Sequence, residues 1–152
     1  MLSLSKNAWV RGVTTVAIVF TLGATAWAAD DIIKTRQSNM KAMGGALKTI
    51  KGVIDANGNA ADVVAPANKI AEIAGKIPSL FPAGSDKGKT GANPNIWTDA
   101  AGFKADADAL QNQAQMLASA GQSGDLATVR AQFDKVAGAC GTCHKTYRHK
   151  TD

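Results

Sequence analysis

From about residue 30 onward, apolar residues recur at three- and four-residue spacing, which places them on one face of a helix. The first such stretch ends at the turn-forming sequence "ANGN", residues 56–59. Its buried face is formed by Ile33, Arg36, Met40, Met43, Leu47, Ile50 and Ile54. A second stretch has Pro66 near its start and ends at Pro78, because proline lacks the N–H that a helix interior needs. Its buried face is formed by Val63, Ala67, Ile70, Ile73, Ala74 and Ile77.

Two further helices follow the loop "PSLFPAGSDKGKTGANPN", which is rich in turn-forming residues. The spacing predicts a continuous third helix from about Pro94 to Ala120, with Ile96, Ala100, Phe103, Ala107, Leu110, Ala114 and Leu117 on its buried face. The fourth begins near Ser123 or Asp125, either of which is a good N-cap. Its face carries Leu126, Val129, Phe133, Val136, Cys140, Cys143 and Tyr147. No stretch alternates with period two, so we predict an all-α, antiparallel up-down-up-down four-helix bundle.

The four predicted faces carry little bulk. Alanine occupies many positions where a tight bundle would have Leu or Ile, and the first face includes the charged Arg36. Voids in a core cost stability. We therefore predict that something other than a side chain fills the centre of the bundle.

Residues 1–28 have the pattern of a secretory signal peptide. Lys6 and Arg11 form a positively charged region, the apolar stretch "VTTVAIVFTLGATAWA" follows them, and "AWA" at 26–28 is a small-x-small cleavage site. A membrane anchor is the alternative, but several threonines dilute the apolar run. We predict export to the periplasm, cleavage, and a mature domain at 29–152 that has no membrane attachment.

The charge of the mature chain is mild. Without Lys6 and Arg11, 15 basic residues stand against 12 acidic ones, a net charge of about +3. The basic residues are scattered along the chain, so we expect no binding of nucleic acid.

The segment "CGTCHKTYRHK", residues 140–150, contains both cysteines and both histidines of the chain. Cys-x-x-Cys-His is the sequence at which haem is attached through two thioethers. On a helix Cys140 and Cys143 lie about one turn apart, and His144 points toward the iron from the same face. We predict one covalent haem c on these cysteines, with His144 as the proximal iron ligand. This cofactor would also fill the underfilled core.

Three other interpretations of the segment are weaker. A thioredoxin-like redox pair needs a strand-helix context, which an all-helical chain lacks. A zinc site of Cys140, Cys143, His144 and His149 lacks the long loop that usually separates the two ligand pairs. A disulfide would leave His144 without a role, and so short a loop gains little stability from closure.

The chain resembles the class II cytochromes c, which comprise cytochrome c prime and its low-spin relatives. The tail "CGTCHKTYRHK" is similar to the family's C-x-x-C-H-x-x-aromatic-Arg ending. "RQSNMKAMGG" resembles the family's first helix, and "LFPAGS" with "NPNIW" resembles its long middle loop. These matches span most of residues 30–150. The resemblance implies a haem bundle with the attachment motif near its C-terminus.

Further site residues follow from this framework. Arg36 either extends its charged end to water or, as the resemblance also implies, pairs with a haem propionate. Met40 matches the family position that faces the iron, and Met43 is expected to pack in the core. The resemblance places Arg148 near the proximal imidazole, where a cation would tune the iron. Trp97 is expected to pack in the core or at the haem edge.

Two functions remain open from the sequence. The first is a one-electron carrier with Met40 as the sixth iron ligand, which would meet redox partner proteins transiently. The alternative is a five-coordinate cytochrome c prime that binds nitric oxide or carbon monoxide in a pocket lined by Met40, Met43 and Leu47. No His, Asp or Glu is predicted at a distal position, so we do not expect an enzyme. A homodimer is also predicted, with Ala46 and Ala60 among the small exposed residues that would allow close approach.

Overall fold

The computed structural model describes residues 24–149, with side chains from residue 30 onward. Five α-helices run in chain order: α1 Ala24–Asp55, α2 Val64–Lys76, α3 Asn95–Thr98, α4 Ala100–Ser123 and α5 Leu126–Tyr147. Two 3₁₀ turns, Ala60–Val63 and Ile77–Leu80, flank α2. The predicted signal peptide lies mostly outside the described residues, so its cleavage stays a prediction.

The prediction of an all-α antiparallel four-helix bundle is confirmed. Helix α4 packs against both α2 and α5, and α1 packs against α2. By contrast, α1 and α5 touch each other very little. The bundle is therefore closed along three of its helix pairs and open between its first and last helices.

Helix α1 ends where the sequence predicts, and α5 supplies part of the cap. Asn57 follows the helix with a left-handed φ of 48°. Arg130 of α5 donates from Nη2 to the carbonyl of Ile54 at 2.8 Å and to Oδ1 of Asn57 at 2.6 Å. The carbonyl of Ile54 also accepts from the N–H of Asn57 at 3.2 Å, so Arg130 adds a second donor at the end of α1.

The predicted continuous third helix is wrong, because Asp99 divides it into α3 and α4. The backbone of Asp99 leaves the helical region, with φ −124° and ψ 55°. Its Oδ1 accepts from the N–H of Gly102 at 3.1 Å, so the side chain caps α4. An Asp carboxylate competes for backbone donors in this way, whereas apolar spacing continues unchanged from Ile96 to Phe103.

The long middle loop is fixed to the tail of the chain by backbone pairing. Ala92 and Arg148 form an isolated antiparallel bridge. The N–H of Asn93 donates to the carbonyl of Tyr147 at 3.0 Å, and that of His149 to Gly91 at 2.8 Å. The loop therefore lies against the residues that directly follow the Cys-x-x-Cys-His motif.

Trp97 secures the start of this loop. Its Nε1 donates to the carbonyl of Phe81 at 3.1 Å and to that of Pro82 at 3.0 Å. The Trp97 ring packs partly buried against the core.

The small residues predicted for a dimer contact lie elsewhere than expected. Ala60 is 3% exposed in the core, and Ala46 is half-buried and packs against the core. Among the described side chains of α1, the exposed alanine and glycines are Ala42, Gly44, Gly45 and Gly52. No helix in the described part of the chain combines the length and apolar character needed to cross a membrane.

Candidate haem site

A cavity of about 440 Å³ lies between α1 and α5, where these helices diverge. Five of the six predicted site residues line it, namely Arg36, Met40, Cys143, His144 and Arg148. The sixth, Cys140, is half-buried and packs against the hydrophobic core one turn before Cys143. The structure thus brings together residues from the first and the last helix of the bundle.

Aromatic and aliphatic side chains form much of the cavity wall. Ile77, Phe81, Ile96 and Phe103 all line it. Phe103 meets Phe81 edge to face at 5.0 Å between ring centroids, and meets Tyr147 in the same way at 5.2 Å. A wall of this kind suits a large, flat, apolar group. The prediction of an underfilled bundle centre accordingly corresponds to a defined space.

Cys140 and Cys143 form no disulfide with each other, and their surroundings favour the neutral thiol over the thiolate. Burial raises the pKa of Cys140, and burial followed by the charge of Asp106 raises the pKa of Cys143 to about 11. A redox-active pair instead needs a lowered thiol pKa. Two neutral thiols one helical turn apart, with a histidine directly after them, match the donor set for thioether attachment of haem.

His144 is held in the form that binds metals. Partial covering of its ring, followed by the charge of Arg148, lowers its pKa, which favours the neutral imidazole. Within residues 30–149 no group of three or more His, Cys, Asp or Glu side chains could hold a metal ion. The four residues considered for zinc therefore do not gather.

Arg36 is buried at 3% exposure, so it does not extend its charged end to water. Its Nη1 donates to Oγ of Ser85 at 3.1 Å. Its Nη2 donates to the carbonyl of Ser85 at 2.6 Å and to Oγ1 of Thr90 at 3.0 Å. The guanidinium also lies over the Phe81 ring, 4.6 Å from its centroid. Arg36 therefore fastens the middle loop to α1.

The charge of Arg36 has no carboxylate partner among the described residues. Burial lowers its pKa, which shows that the surroundings disfavour the cation. Three of its five N–H groups are used by the loop, which leaves two. A buried, uncompensated cation on a cavity wall favours an anionic group inside the cavity. The haem propionates are groups of this kind, so the residues present fit the cofactor.

Met40 and Met43 have different environments. Met40 is half-buried and lines the cavity. Met43 is 5% exposed in the hydrophobic core and does not line the cavity, and neither does Leu47. The expectation that Met43 packs in the core is confirmed. The predicted pocket of Met40, Met43 and Leu47 is wrong for Met43 and Leu47, because both pack with the hydrophobic core instead of lining the cavity.

Arg148 lies at the cavity and is exposed. Its backbone pairs with Ala92, and its charge lowers the pKa of His144. Trp97 does not line the cavity, so its role is to secure the loop.

Sequence reasoning missed the contribution of the middle loop. Phe81, Thr90, Gly91 and Ala92 line the cavity, and Ser85 holds Arg36. Loop residues follow no period, so spacing gave no signal for them. The buried Arg36 was the one indication that polar partners had to be found elsewhere in the chain.

A four-helix bundle with Cys-x-x-Cys-His on its last helix, facing an apolar cavity that also has a buried cation, defines a c-type haem bundle. Residues 31–148 match the family model described as Cytochrome C'. The chain belongs to the cytochrome c' family, and its cofactor is one covalent c-type haem.

Relatives support this assignment over most of the chain. This chain is 37% identical over 128 residues to cytochrome c' of Rhodocyclus tenuis, and the alignment covers 80% of this chain and 96% of that protein. A cytochrome c' with ligand-controlled dimer dissociation superposes with a TM-score of 0.76 at 32% identity, across 80% and 97% of the two chains. A nitric oxide complex of a variant cytochrome c prime from Alcaligenes xylosoxidans has a TM-score of 0.72 at 31% identity, across 80% and 97%.

Proposed function

We propose that Cys140 and Cys143 carry the haem through thioether bonds and that His144 is its axial ligand. The support is the motif on α5 together with the position of Cys143 and His144 on the cavity wall. Arg36 would pair with a propionate through its remaining N–H groups, and Arg148 would tune the iron through its charge beside His144. The bound haem would supply an iron centre that changes oxidation state or binds a diatomic gas.

We further propose that the protein binds nitric oxide or carbon monoxide at the open sixth position of the iron. The observation that carries this proposal is the apolar side chain that Met40 presents on the α1 side of the cavity. Arg36 donates to Ser85 and Thr90, and Nε2 of Gln37 donates to the carbonyl of Lys89 at 2.9 Å. Met40, one turn after Arg36 on the cavity wall, has a side chain that donates no hydrogen bond, and the Lys41 that follows it is exposed. Bound oxygen needs a hydrogen-bond donor more than the less polar diatomics do.

The family supports the same choice. A structural relative binds nitric oxide, and the family as a whole fits a gas-binding protein better than a Met-ligated carrier. Met40 as the sixth ligand therefore has the weaker support.

An absorption spectrum of the purified holoprotein tests the proposal. We expect high-spin, five-coordinate iron in both oxidation states, and new bands when carbon monoxide or nitric oxide is added to the ferrous protein. A low-spin spectrum that carbon monoxide changes only slowly would contradict it and would favour the second candidate.

That second candidate is a one-electron carrier with Met40 and His144 as axial ligands. The observation in its favour is that Met40 lines the cavity, on the helix opposite to the motif. A Met/His pair is an established haem ligation. Redox proteins would then be its partners.

The leader pattern supports a periplasmic location, where the haem would be attached after export. We also propose a homodimer, in keeping with the structural relative whose dimer responds to ligand. The exposed glycines of α1 would be the contact surface.

A further inference from the structure

The imidazole of His144 has no hydrogen-bond partner among residues 30–149. Axial histidines usually donate their second ring N–H to a carboxylate or carbonyl, which fixes the orientation of the ring. Without such a partner, the orientation of the ring depends on how firmly the last turn of α5 is held.

Tyr147 ends α5, one turn after His144, and is held at both ends. Its hydroxyl donates to Oδ2 of Asp99 at 2.6 Å, and its carbonyl accepts from the N–H of Asn93 at 3.0 Å. Its ring packs edge to face on Phe103 at 5.2 Å, and the residue is 6% exposed. A hydroxyl bonded to an ionised carboxylate is a strong hydrogen bond. No other side chain in the last turn of α5 has a comparable contact among the described residues.

The acceptor of this bond is itself fixed. Asp99 is the N-cap of α4, and its other oxygen accepts from the N–H of Gly102. A Cβ on Gly102 would lie 2.5 Å from the Tyr147 hydroxyl oxygen, so glycine leaves the space in which the two side chains meet. The start of α4 is therefore built as an anchor for the end of α5.

We propose that Tyr147 is a positioning residue for the axial histidine. Its hydroxyl bond to Asp99 fastens the last turn of α5 to the start of α4, and this contact sets how the His144 ring meets the iron. The inference rests on His144 being the axial ligand. Tyr147 would act through the helix turn, without itself binding iron.

The test compares the wild-type holoprotein with Tyr147→Phe, which removes the hydroxyl and keeps the ring. The iron–histidine stretch is measured by resonance Raman in the ferrous protein or in the photoproduct of its carbon monoxide complex. We expect a shifted or broadened stretch. We also expect about a threefold change in the equilibrium constant for electron uptake. At 59 mV per tenfold for one electron, this is a shift of about 28 mV in the reduction potential.

Asp99→Ser should give the same changes, because serine can still cap α4 but cannot reach the tyrosine. The double variant should add nothing further, since both changes remove one interaction. If Tyr147→Phe does not fold, Asp99→Ser alone decides the matter.

Gln132→Met is the matched control. Gln132 is a buried residue on α5 whose Nε2 donates to Oε1 of Gln113 on α4 at 2.6 Å, far along the helix from His144. The Gln132→Met substitution should lower the urea midpoint of unfolding and leave the iron–histidine stretch and the reduction potential unchanged. If Tyr147→Phe behaves like this control, the positioning role is overturned. A wild-type protein without an iron–histidine band would instead reject His144 as the ligand, and the inference with it.

Discussion

At the scale of single residues, Met40 is the candidate whose substitution tests the sixth position of the iron. It lines the cavity from α1, whereas Met43, three residues later, is buried in the core. Leucine has nearly the volume of methionine, so Met40→Leu should preserve the packing. We expect the same high-spin spectrum in the variant and wild type, and carbon monoxide association rates within about threefold of each other. A change from low spin to high spin on substitution would show that the Met40 sulfur binds iron.

The hydrogen bond between Tyr147 and Asp99 predicts that the protein loses stability at alkaline pH. This bond raises the pKa of Tyr147 to about 12, from an ordinary value of about 10. The bond stabilises the protonated hydroxyl, so its contribution is complete below about pH 10 and is lost as the pH rises through about 12. Tyr147 is the only tyrosine of the chain, so phenolate absorbance reports its ionisation directly.

The comparison for this titration is Tyr147→Phe, whose spectrum also supplies the haem background. Wild type should lose more stability than the variant between pH 10 and 12, measured by urea unfolding. A phenolate midpoint near 10, with equal losses in both proteins, would contradict the expectation.

At the scale of elements, α5 does more than present the haem motif, because its first half caps α1. Arg130→Ala removes the bonds to Ile54 and Asn57 at the end of α1. Hydrogen bonds from a charged donor contribute about 1.5–3 kcal/mol where they are buried, so we expect a loss of about 1–2 kcal/mol at this half-buried site. Urea unfolding of the holoprotein measures it.

Lys135→Ala is the control for this element, since Lys135 is an exposed residue of the same helix. A surface change of this kind should stay within about 0.5 kcal/mol. If Arg130→Ala and Lys135→Ala lower the free energy of unfolding equally, the hydrogen bonds of Arg130 contribute no more to stability than an exposed side chain of α5.

At the scale of the whole molecule, we expect the cavity to make folding depend on the cofactor. The open space between α1 and α5 leaves these two helices with few contacts to each other. A group that binds only the folded state stabilises it by linkage. We expect the Cys140→Ala, Cys143→Ala double variant, prepared without haem, to lose helicity or to unfold without cooperativity. Circular dichroism measures this, and a cooperative, native-like melt of the haem-free protein would refute it.

The proposed dimer also belongs to this scale. At Gly45 of α1 a Cβ would meet no atom of the chain within 4 Å, and the same is true at Gly138 of α5. Gly45→Arg should therefore disturb a dimer contact on α1 without straining the monomer, whereas Gly138→Arg serves as the matched control. Light scattering should give a dimer for the wild type and the control, and a lower mass for Gly45→Arg. A single-chain mass for the wild type at all concentrations would reject the dimer.

The sequence by itself determined the long helices, the Cys-x-x-Cys-His motif and the family. These features depend on residues three or four positions apart, so they are visible in the spacing along the chain. Even the underfilled core could be inferred, because alanines stand at face positions where larger residues would pack. The same local signal failed at Asp99, where one side-chain hydrogen bond divided a helix whose apolar spacing is continuous.

Only the tertiary structure decided how the cavity is built. Arg36 and Ser85 are 49 residues apart in the chain, and Tyr147 and Asp99 are 48 residues apart. Neither contact leaves a periodic trace, because loop residues and helix ends are brought together by the packing of distant elements. For the same reason the sequence named Met43 both as a core residue and as a pocket residue and assigned Leu47 to the pocket, whereas the orientation of α1 directs both toward the core. The spacing identified the haem-binding motif, and the packing of α1, α5 and the middle loop determined which side chains surround its cavity.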